Sequence, residues 1–434
     1  MGTNQAPDSG NGSGRATLSR KITEVAAHTP LKRVVRTAPQ TLKSSAESTK
    51  KTAVAIKAPG KLTKARRTPE PRVAIVHDWL LGGGAELVVE QLHKLYPDAP
   101  IYTSYCTKEW RKRLDGKVRT GFLQYWPFSR LRKYLPFVRA WWFSHLNLKA
   151  YDLVISSSGS GEAKGIRPPH TALHINYCHS PTHFCWSRYN EYMDNPGFGA
   201  FDWLARFGLK TLIGPFRRWD YKAAQLADYM IANSEHIKAE IQKYYDRSAV
   251  VIHPPVTTER FRKLVKAKKR RGFIIAGRQT PYKRFDIAVS ACSQLNVPLT
   301  VVGDGPEYKR LRKLAGKSVT FLGKVSDDVL AEELASAKGF IFPGVDDFGI
   351  TPVEAIAAGT PVIAFKAGGA LDYVVPGKTG IFFEEQTTKS LAAALRTFSR
   401  TKFDAVEVSA HAERFSAHRF AQKMRLFIKR VMAR

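Results

Sequence analysis

Short runs of apolar, β-branched residues alternate with amphipathic helical stretches along most of this 434-residue chain, and this alternation limits the possible folds most. The run at 72–78 is followed by three glycines and by helical spacing over 85–95. Further runs follow in "YDLVISSSG", "TALHINYCHSP", "DYMIANS" and "AVVIHPP", with helical stretches between them. Buried parallel strands are near-continuous apolar runs, and strands that alternate with helices form doubly wound α/β domains.

The same rhythm starts again after the basic stretch "RKLVKAKKRRG", which is typical of a linker between domains. Five more runs follow it: "GFIIAGR", "LTVVGDG", "SVTFLG", "GFIFPG" and "PVIAF". We therefore predict two Rossmann-like domains, at 71–262 and 263–405, and a final helix within 406–434 that packs back toward the first domain. Two such domains face each other across a cleft at the carboxyl ends of their strands, where ligands usually bind.

The first seventy residues have a different composition. Residues 1–70 contain 14 Lys/Arg against 4 Asp/Glu and few large apolar residues, which predicts a disordered basic tail. Such a tail is either a solubilising extension or an electrostatic tether to an anionic membrane. The net charge of the whole chain, +32, favours anionic partners in general, such as nucleic acid, acidic lipid or a phosphorylated substrate.

Residues 107–150 interleave Trp and Phe with many Arg and Lys. Three interpretations stay open for this segment. The aromatic residues could belong to the core beneath a solvated basic face; they could enter the headgroup region of an anionic membrane; or they could stack on nucleic acid bases. The segment 180–216, rich in Gly, Pro and aromatic residues, is expected to be a partly ordered cover over the acceptor side.

Four scattered cysteines do not form a disulfide framework, and they fit a reducing compartment: Cys106, Cys178, Cys185 and Cys292. The two central cysteines lie near three histidines, which raises a zinc hypothesis that would use His174, His179 and His183. Without a CxxC pair we prefer buried thiols and predict no metal site. No apolar run is long enough for a transmembrane helix, and no secretory signal is expected.

Two cations mark the first candidate site. Arg278 follows the strand in "AGRQTPYKRFD", and Lys283 comes five residues later, just before a helix. Two such cations beside a helix N-terminus can neutralise a diphosphate. Taken alone, they are better explained as ordinary surface bases.

The stretch "FPGVDDFGITPVEAIAAG" predicts a strand end, a turn at Gly349 and a helix. The free N–H groups of Ile350, Thr351 and Val353 would point at an anion. Glu354, placed in the first helical turn, could accept hydrogen bonds from a diol such as a ribose. The alternative is that Glu354 merely favours the helix N-terminus electrostatically.

The second half resembles the glycosyltransferase family 4 type of the GT-B fold. That family has the signature E-x-F-G-x-x-x-x-E-A-x-A-x-G-x-P-V-I-A, and this chain has D-D-F-G-I-T-P-V-E-A-I-A-A-G-T-P-V-I-A. The stretches "VVGDGPEYKRL" and "GGALDYVVPGKTGIFF" are also similar. In the first half, "HDWLLGGGAE", "YCHSPTHFCW", "RRWDYKAA" and "VIHPPV" resemble the mannosyltransferase-type branch. The resemblance covers about 72–400.

The resemblance implies a role for each site residue. Arg278 and Lys283 would hold the donor diphosphate, and Glu354 would bind the nucleotide ribose. Asp346 stands where the family usually has Glu, one methylene longer, and would contact the hydroxyl groups of the donor sugar. His179 would point into the cleft toward that sugar. The remaining implied positions are Phe348, Gly349, Ile350 and Thr351 in the donor site, and Gly82, Gly83 and Gly84 in a loop that closes on donor and acceptor.

These features together predict a metal-independent hexosyltransferase without a cofactor, and the resemblance implies that the anomeric configuration is retained. The expected donor is GDP-mannose, and the expected acceptor is a glycan or a lipid-linked sugar in surface polysaccharide or glycolipid synthesis. The protein would be cytoplasmic and peripheral, at the inner face of the plasma membrane. The alternatives are a UDP-sugar donor, a catalytically dead nucleic-acid-binding protein with the same fold, and a scaffold subunit.

Overall fold

Two parallel β-sheets organise the protein in the computed structural model, which describes residues 71–194, 196, 199, 202–265 and 270–433. The predicted tail at 1–70 lies outside the described residues. The first sheet has seven strands in the order β3-β2-β1-β4-β5-β6-β7, all parallel. Their bounds are β1 Val73–His77, β2 Ile101–Thr103, β3 Val118–Arg119, β4 Leu153–Ser158, β5 Leu173–Cys178, β6 Tyr229–Ala232 and β7 Val250–Val251.

Seven helices connect these strands: α1 Gly84–Leu95, α2 Lys108–Arg113, α3 Phe128–Leu131, α4 Pro136–Ser144, α5 Tyr189–Asp194, α6 Asp202–Ala224 and α7 Glu235–Tyr245. The prediction of a partly ordered cover over 180–216 was wrong for its second half, because α6 begins at Asp202 and continues without a break. Pro215 lies inside this helix. The glycines and this proline suggested a loop, but the flanking Leu, Ala, Arg and Lys residues favour a helix.

The second sheet has six parallel strands in the order β10-β9-β8-β11-β12-β13. Their bounds are β8 Phe273–Ala276, β9 Leu299–Val302, β10 Val319–Gly323, β11 Gly339–Phe342, β12 Val362–Phe365 and β13 Gly380–Phe383. Both sheets reverse strand order beside their first strand, which is the topology of a doubly wound domain with its ligand crevice at that point. The predicted fold class is therefore confirmed.

Nine further helices complete the described chain: α8 Thr258–Arg262, α9 Phe285–Gln294, α10 Tyr308–Leu314, α11 Asp327–Ser336, α12 Ile350–Ala357, α13 Ala370–Tyr373, α14 Thr388–Arg400, α15 Ala405–His411 and α16 Ala417–Met432. The last of them, α16, buries Phe420, Met424 and Ile428 in the same apolar cluster as Ile75 of β1 and Val88 of α1. The final helix thus belongs to the core of the first sheet.

The aromatic residues of 107–150 divide between core and surface. Trp110 and Phe143 are buried, at 5% and 0% exposure, while Trp126 and Trp141 are 78% and 55% exposed. The core interpretation therefore holds for only part of this segment. Within the described residues, no helix combines the length and the apolar character that crossing a bilayer requires.

Candidate active site at the carboxyl edges of the two sheets

The turn between β11 and α12 forms the centre of the site in the second sheet. Gly349 precedes the first residue of α12 and has a φ of 90°, a left-handed conformation that favours glycine. A Cβ at this position would lie only 2.8 Å from the Tyr373 hydroxyl oxygen, so there is no room for a side chain either. No side chain caps α12. Its first amide groups, from Ile350 onward, therefore remain available to an anion.

Glu354 lies one turn further along α12 than the sequence indicated, since the helix begins at Ile350 and has no acid in its first turn. The side chain is half-buried, and burial raises its pKa to about 7, against the opposing effect of Arg260. Among the described residues its carboxylate has no hydrogen-bond partner. A capping role is therefore wrong, and the carboxylate is free to accept from a ligand.

Lys283 and Asp346 face each other from the two loops that follow β8 and β11. The Lys283 Nζ lies 3.1 Å from Asp346 Oδ2. Burial would lower the pKa of Lys283, but Asp346 and Tyr282 together raise it above its usual value, so the ammonium stays charged. Asp346 Oδ1 is buried and has no partner among the described residues, which leaves one acceptor available beside the cation.

Arg278 lies on the same loop as Lys283, at the carboxyl end of β8. It is exposed, and within the described part of the chain it forms no ion pair. A cation without a carboxylate partner at a strand end is available to an anionic ligand.

At the edge of the first sheet, His179 follows β5 and meets the ends of the neighbouring strands. Its Nε2 lies 2.8 Å from Ser157 Oγ, and the Asn233 amide donates to its carbonyl at 2.8 Å. Burial and the adjacent His77 lower the pKa of His179 to about 3, so the imidazole is neutral. Such a ring offers a hydrogen bond but no charge to a ligand.

The sequence analysis missed Asp78, directly after β1. Its carboxylate accepts backbone N–H bonds from Gly159, Ser160 and Ala163 at 2.7–2.8 Å. Burial would raise its pKa, but His77 and these N–H groups hold the pKa below its usual range. Asp78 therefore stays ionised and fixes the loop after β4 beneath His179. Its position, directly after an apolar strand, was the available signal.

Asp347, which was also not predicted from the sequence, forms contacts that join the two halves of the structure. Asp347 Oδ2 lies 3.0 Å from His183 Nε2, and its carbonyl accepts from the Ser234 hydroxyl at 2.5 Å. Arg188 donates to the Val345 carbonyl at 3.1 Å. Burial would raise the pKa of Asp347, yet His183 and Arg188 hold it below its usual range.

Arg188 also stacks on Tyr282, with the guanidinium carbon 4.0 Å from the ring centroid. Tyr282 directly precedes Lys283 in the chain. Arg188, which belongs to the first half, therefore lies close to the segment that carries Lys283 in the second half. Asp347 occupies a variable position of the quoted signature, and long-range pairing cannot be inferred from such a position.

The glycine loop reaches the same region. Gly84 is the first residue of α1, and a Cβ there would lie 2.6 Å from Ile350 Cδ1, so the loop touches the start of α12. Glu86 holds the loop by accepting the N–H groups of Leu81 and Gly82 at 3.2 and 3.0 Å. The structure thus brings the two predicted elements into contact.

The zinc hypothesis finds no support in the described residues, where no group of His, Cys, Asp and Glu is placed to hold a metal ion. The four cysteines are free and buried. Burial raises the pKa of Cys292 to about 12, and those of Cys178 and Cys185 even further. His174 instead pairs with Ser156, at 2.8 Å from Nε2 to Oγ.

Two family models match the chain in sequence order. The model described as Glycosyltransferase Family 4 matches residues 82–260, and the model described as Glycosyl transferases group 1 matches residues 256–415. Together they include every site residue discussed above except His77, Asp78 and Leu81, which precede the first match.

Curated relatives show the same likeness. A D-inositol 3-phosphate glycosyltransferase of Streptomyces avermitilis is 30% identical over 207 residues, which cover 40% of this chain and 44% of the relative. A GDP-mannose-dependent alpha-(1-6)-phosphatidylinositol monomannoside mannosyltransferase of Mycobacterium tuberculosis is 34% identical over 170 residues, 33% of this chain and 44% of the relative. The chain spans about half the length of the curated relatives it matches.

Solved structures share the fold over nearly their whole length. The Anabaena protein HepE in complex with UDP aligns with a TM-score of 0.60 at 19% identity, over 82% of this chain and 99% of that one. Sucrose-phosphate synthase from Thermosynechococcus elongatus aligns with a TM-score of 0.60 at 19% identity, over 83% and 99%. At this identity the likeness establishes the fold alone.

Proposed function

Because this chain belongs to glycosyltransferase family 4 and has the GT-B fold, we propose that it transfers a hexosyl group from a nucleoside-diphosphate sugar to an acceptor hydroxyl. The proposed donor is GDP-mannose, the donor named for two of its curated relatives. The observation that carries the proposal is the contact of Lys283 with Asp346, which joins the loop after β8 to the loop that leads into the uncapped start of α12.

The diphosphate is the part of the donor that these two loops fit. Arg278 and Lys283 supply two positive charges, and the amino end of α12 supplies N–H donors. When the bond between the sugar and the diphosphate breaks, negative charge develops on the leaving oxygen. Preorganised donors of this kind stabilise that charge in the transition state. Glu354, with its unpartnered carboxylate, would bind the ribose of the nucleotide.

The donor sugar would lie between the two sheets. The free Oδ1 of Asp346 would accept from a sugar hydroxyl, and neutral His179 would form a hydrogen bond from the opposite side. In the proposed retaining step, the C1–O bond to the diphosphate breaks and a bond from C1 to the acceptor oxygen forms on the same face. The acceptor proton passes to the departing phosphate oxygen, so the reaction is balanced without an added base.

Two side-chain cations and a helix end are sufficient to neutralise the diphosphate, so the proposed reaction requires no divalent ion or cofactor. The proposed acceptor is a glycan or a lipid-linked sugar, presented at the inner face of the plasma membrane. Contact of the glycine loop with α12 would exclude water from the reacting bond and protect the donor from hydrolysis.

Thermal-shift titration tests the donor and the site together. The wild-type protein and Arg278→Ala are titrated with GDP-mannose, UDP-glucose, UDP-galactose, GDP and UDP. At a hundred-fold excess over Kd, binding should stabilise the wild-type protein by about 2.7 kcal/mol, and Arg278→Ala should lose most of this. The proposal predicts a shift with the guanine compounds only.

Other outcomes would favour the alternatives. A shift with uracil compounds only would indicate a UDP-sugar donor, which the UDP and UDP-glucose complexes of the structural neighbour HepE make the second candidate. No shift with any nucleotide, together with salt-sensitive RNA binding, would indicate a nucleic-acid-binding protein. Full biological function with Glu354→Gln would indicate a scaffold subunit.

A further inference from the structure

Exposed large apolar side chains are concentrated in one part of the described chain. Among the described residues, twelve of the 22 such side chains lie between residues 122 and 212. They include three tryptophans, Trp126, Trp141 and Trp203, at 78%, 55% and 67% exposure. Soluble proteins rarely expose large contiguous apolar patches unless these bind a partner.

Eleven of these twelve side chains lie in two stretches, seven within 122–141, which we call the α3–α4 region, and four within 203–212 of α6. The α3–α4 region contacts α6 through the carboxyl-terminal half of that helix. Phe137 of α4 packs edge-on against Phe216 of α6, with ring centroids 5.0 Å apart. We call the exposed apolar side chains of 122–141 and 203–212 the docking face.

The side chains of α6 are arranged as in a helix that lies in an interface. Trp203, Leu204 and Phe207 are 67%, 51% and 64% exposed and lie on one side of the helix. Arg206 and Lys210, four residues apart, are exposed along one edge of this side, and Arg206 also donates to the carbonyls of Met193 and Asp194. The opposite end of α6 is held in the protein by Asp220, which is fully buried and pairs with Lys164 at 2.5 Å.

The charge of the docking face has one sign. Residues 122–141 and 203–212 contain six Lys/Arg and no Asp/Glu; of the six, Arg139 is buried and pairs with Glu162. Aromatic residues enter the boundary between headgroups and acyl chains, while adjacent cations meet anionic headgroups. An acidic protein partner would match the charge but would leave the protruding tryptophans without a pocket.

We propose that α6 and the α3–α4 region dock this protein on an anionic lipid bilayer, with Trp203 and Phe207 inserted among the headgroups. The proposal builds on the proposed function, in which the acceptor is held at a membrane. It adds α6, which the sequence analysis had treated as a cover over the acceptor. Docking through a folded surface also fixes the orientation of the cleft relative to the bilayer.

Tryptophan quenching separates this surface from the tail, because residues 1–70 contain no Trp, Tyr or Phe. The full-length protein is mixed with phosphatidylcholine vesicles, with or without phosphatidylglycerol, whose acyl chains carry bromine. We expect quenching only with phosphatidylglycerol, and a smaller quenched fraction in Trp203→Phe. Co-sedimentation without quenching would mean that only the tail binds, and would overturn the proposal.

Matched variants test the apolar and charged contributions. Trp203→Ser/Phe207→Ser should weaken vesicle binding about ten-fold or more, and Arg206→Glu and Lys210→Glu should each weaken it about five-fold or more. The control is Val406→Ser/Leu426→Ser, which removes side chains of 52% and 63% exposure elsewhere and should leave binding unchanged. Equal losses in both double variants would contradict the proposal.

Two further measurements exclude other occupants and keep the proposals distinct. RNA binding that Trp203→Ser/Phe207→Ser abolishes, without vesicle binding by the wild type, would assign the face to nucleic acid. Self-association abolished by the same variant, again without vesicle binding, would assign it to a second copy. The docking variants should retain the thermal shift with GDP-mannose. Failure of the donor proposal would therefore leave the docking proposal intact, and failure of the docking proposal would leave the donor proposal intact.

Discussion

His183 and Asp347 join the two sheets across the cleft, with 3.0 Å between imidazole Nε2 and carboxylate Oδ2. Asp347 is the neighbour of Asp346, which instead pairs with Lys283 inside the second domain. Two adjacent acids therefore have different tasks. One belongs to the proposed donor site, and the other pairs across the cleft.

Asp347→Asn should weaken closure without removing any donor contact. A partly exposed pair of this kind is worth about 1 kcal/mol, so we expect roughly a five-fold rise in the KM for the donor and a larger radius of gyration in solution scattering. His183→Gln should have a similar effect, and the double variant should be no worse than either. Glu384→Gln, which breaks the exposed pair with Lys366, is the control. An unchanged radius and KM in Asp347→Asn would contradict the role of this pair.

Lys283→Ala removes one cation and leaves the Asp346 carboxylate unpaired. Affinity for GDP should fall about 10- to 100-fold, because a charge-assisted hydrogen bond is lost and a repulsive acid remains beside the phosphates. Calorimetric titration with GDP and with guanosine measures this. Guanosine lacks the diphosphate, so its affinity should hardly change. An equal loss for both ligands would place Lys283 outside the diphosphate site.

Glu354 should distinguish ribose from dideoxyribose. Binding of GDP relative to 2′,3′-dideoxy-GDP should favour the ribose about ten-fold or more in the wild type, and Glu354→Gln should lose much of this preference. Burial raises the pKa of Glu354 to about 7. The carboxylate therefore ionises as pH rises through that value, so the preference should grow from pH 6 to 8 in the wild type only. A preference that is the same at both pH values would argue against this contact.

Buried His174 should make stability depend on pH. Burial lowers its pKa to about 4, whereas the unfolded side chain titrates at about 6.5. Between these values the unfolded chain binds more protons, so the contribution of His174 is present above pH 6.5 and is lost as pH falls toward 4. The stability advantage of the wild type over His174→Gln should shrink by about 2 kcal/mol between pH 6.5 and 5 in urea unfolding. A constant difference would show that His174 does not titrate in this way.

Asp220 should be among the most sensitive positions in the first domain. Besides Lys164, it accepts from Thr182, Trp186 and Tyr245, each at 2.7 Å. Asp220→Ala leaves a buried ammonium unpaired and should cost about 3–5 kcal/mol in urea unfolding. Lys164→Met/Asp220→Leu removes both charges and should recover part of that loss. If the double variant is less stable than Asp220→Ala, the buried charge is not the cause.

Local patterns were sufficient to predict most of the fold. The runs that became β1, β4, β5 and β8 are continuous and apolar, and "EHIKAEIQKYY" corresponds to α7 residue for residue. The short strands β2 and β3 carry little periodic signal, and neither they nor β13 were identified. The carboxyl-terminal part of α6 was predicted from the helical stretch "RRWDYKAAQLA", whereas its amino-terminal part was missed because Gly and Pro weigh heavily in a local argument.

The site divides in the same way. Arg278 and Lys283 follow the end of a strand, and Glu354 lies in a helix that begins soon after one. The sequence of strands, turns and helices therefore indicates where these three residues lie. His183, Arg188 and Asp347 act through contacts between distant segments, which a single sequence does not reveal. The roles assigned to the predicted residues remain predictions until the titrations above are carried out.

The position of α16 has a consequence for biosynthesis. Phe420, Met424 and Ile428 fill a gap beside β1, which lies far ahead of them in the chain. The first sheet therefore cannot complete its interior until the segment of α16 has been synthesised, and it must wait with apolar surface uncovered. A cell that makes this protein should depend on chaperones during that interval, and clipping the chain before Phe420 should leave the amino-terminal half insoluble rather than merely less active.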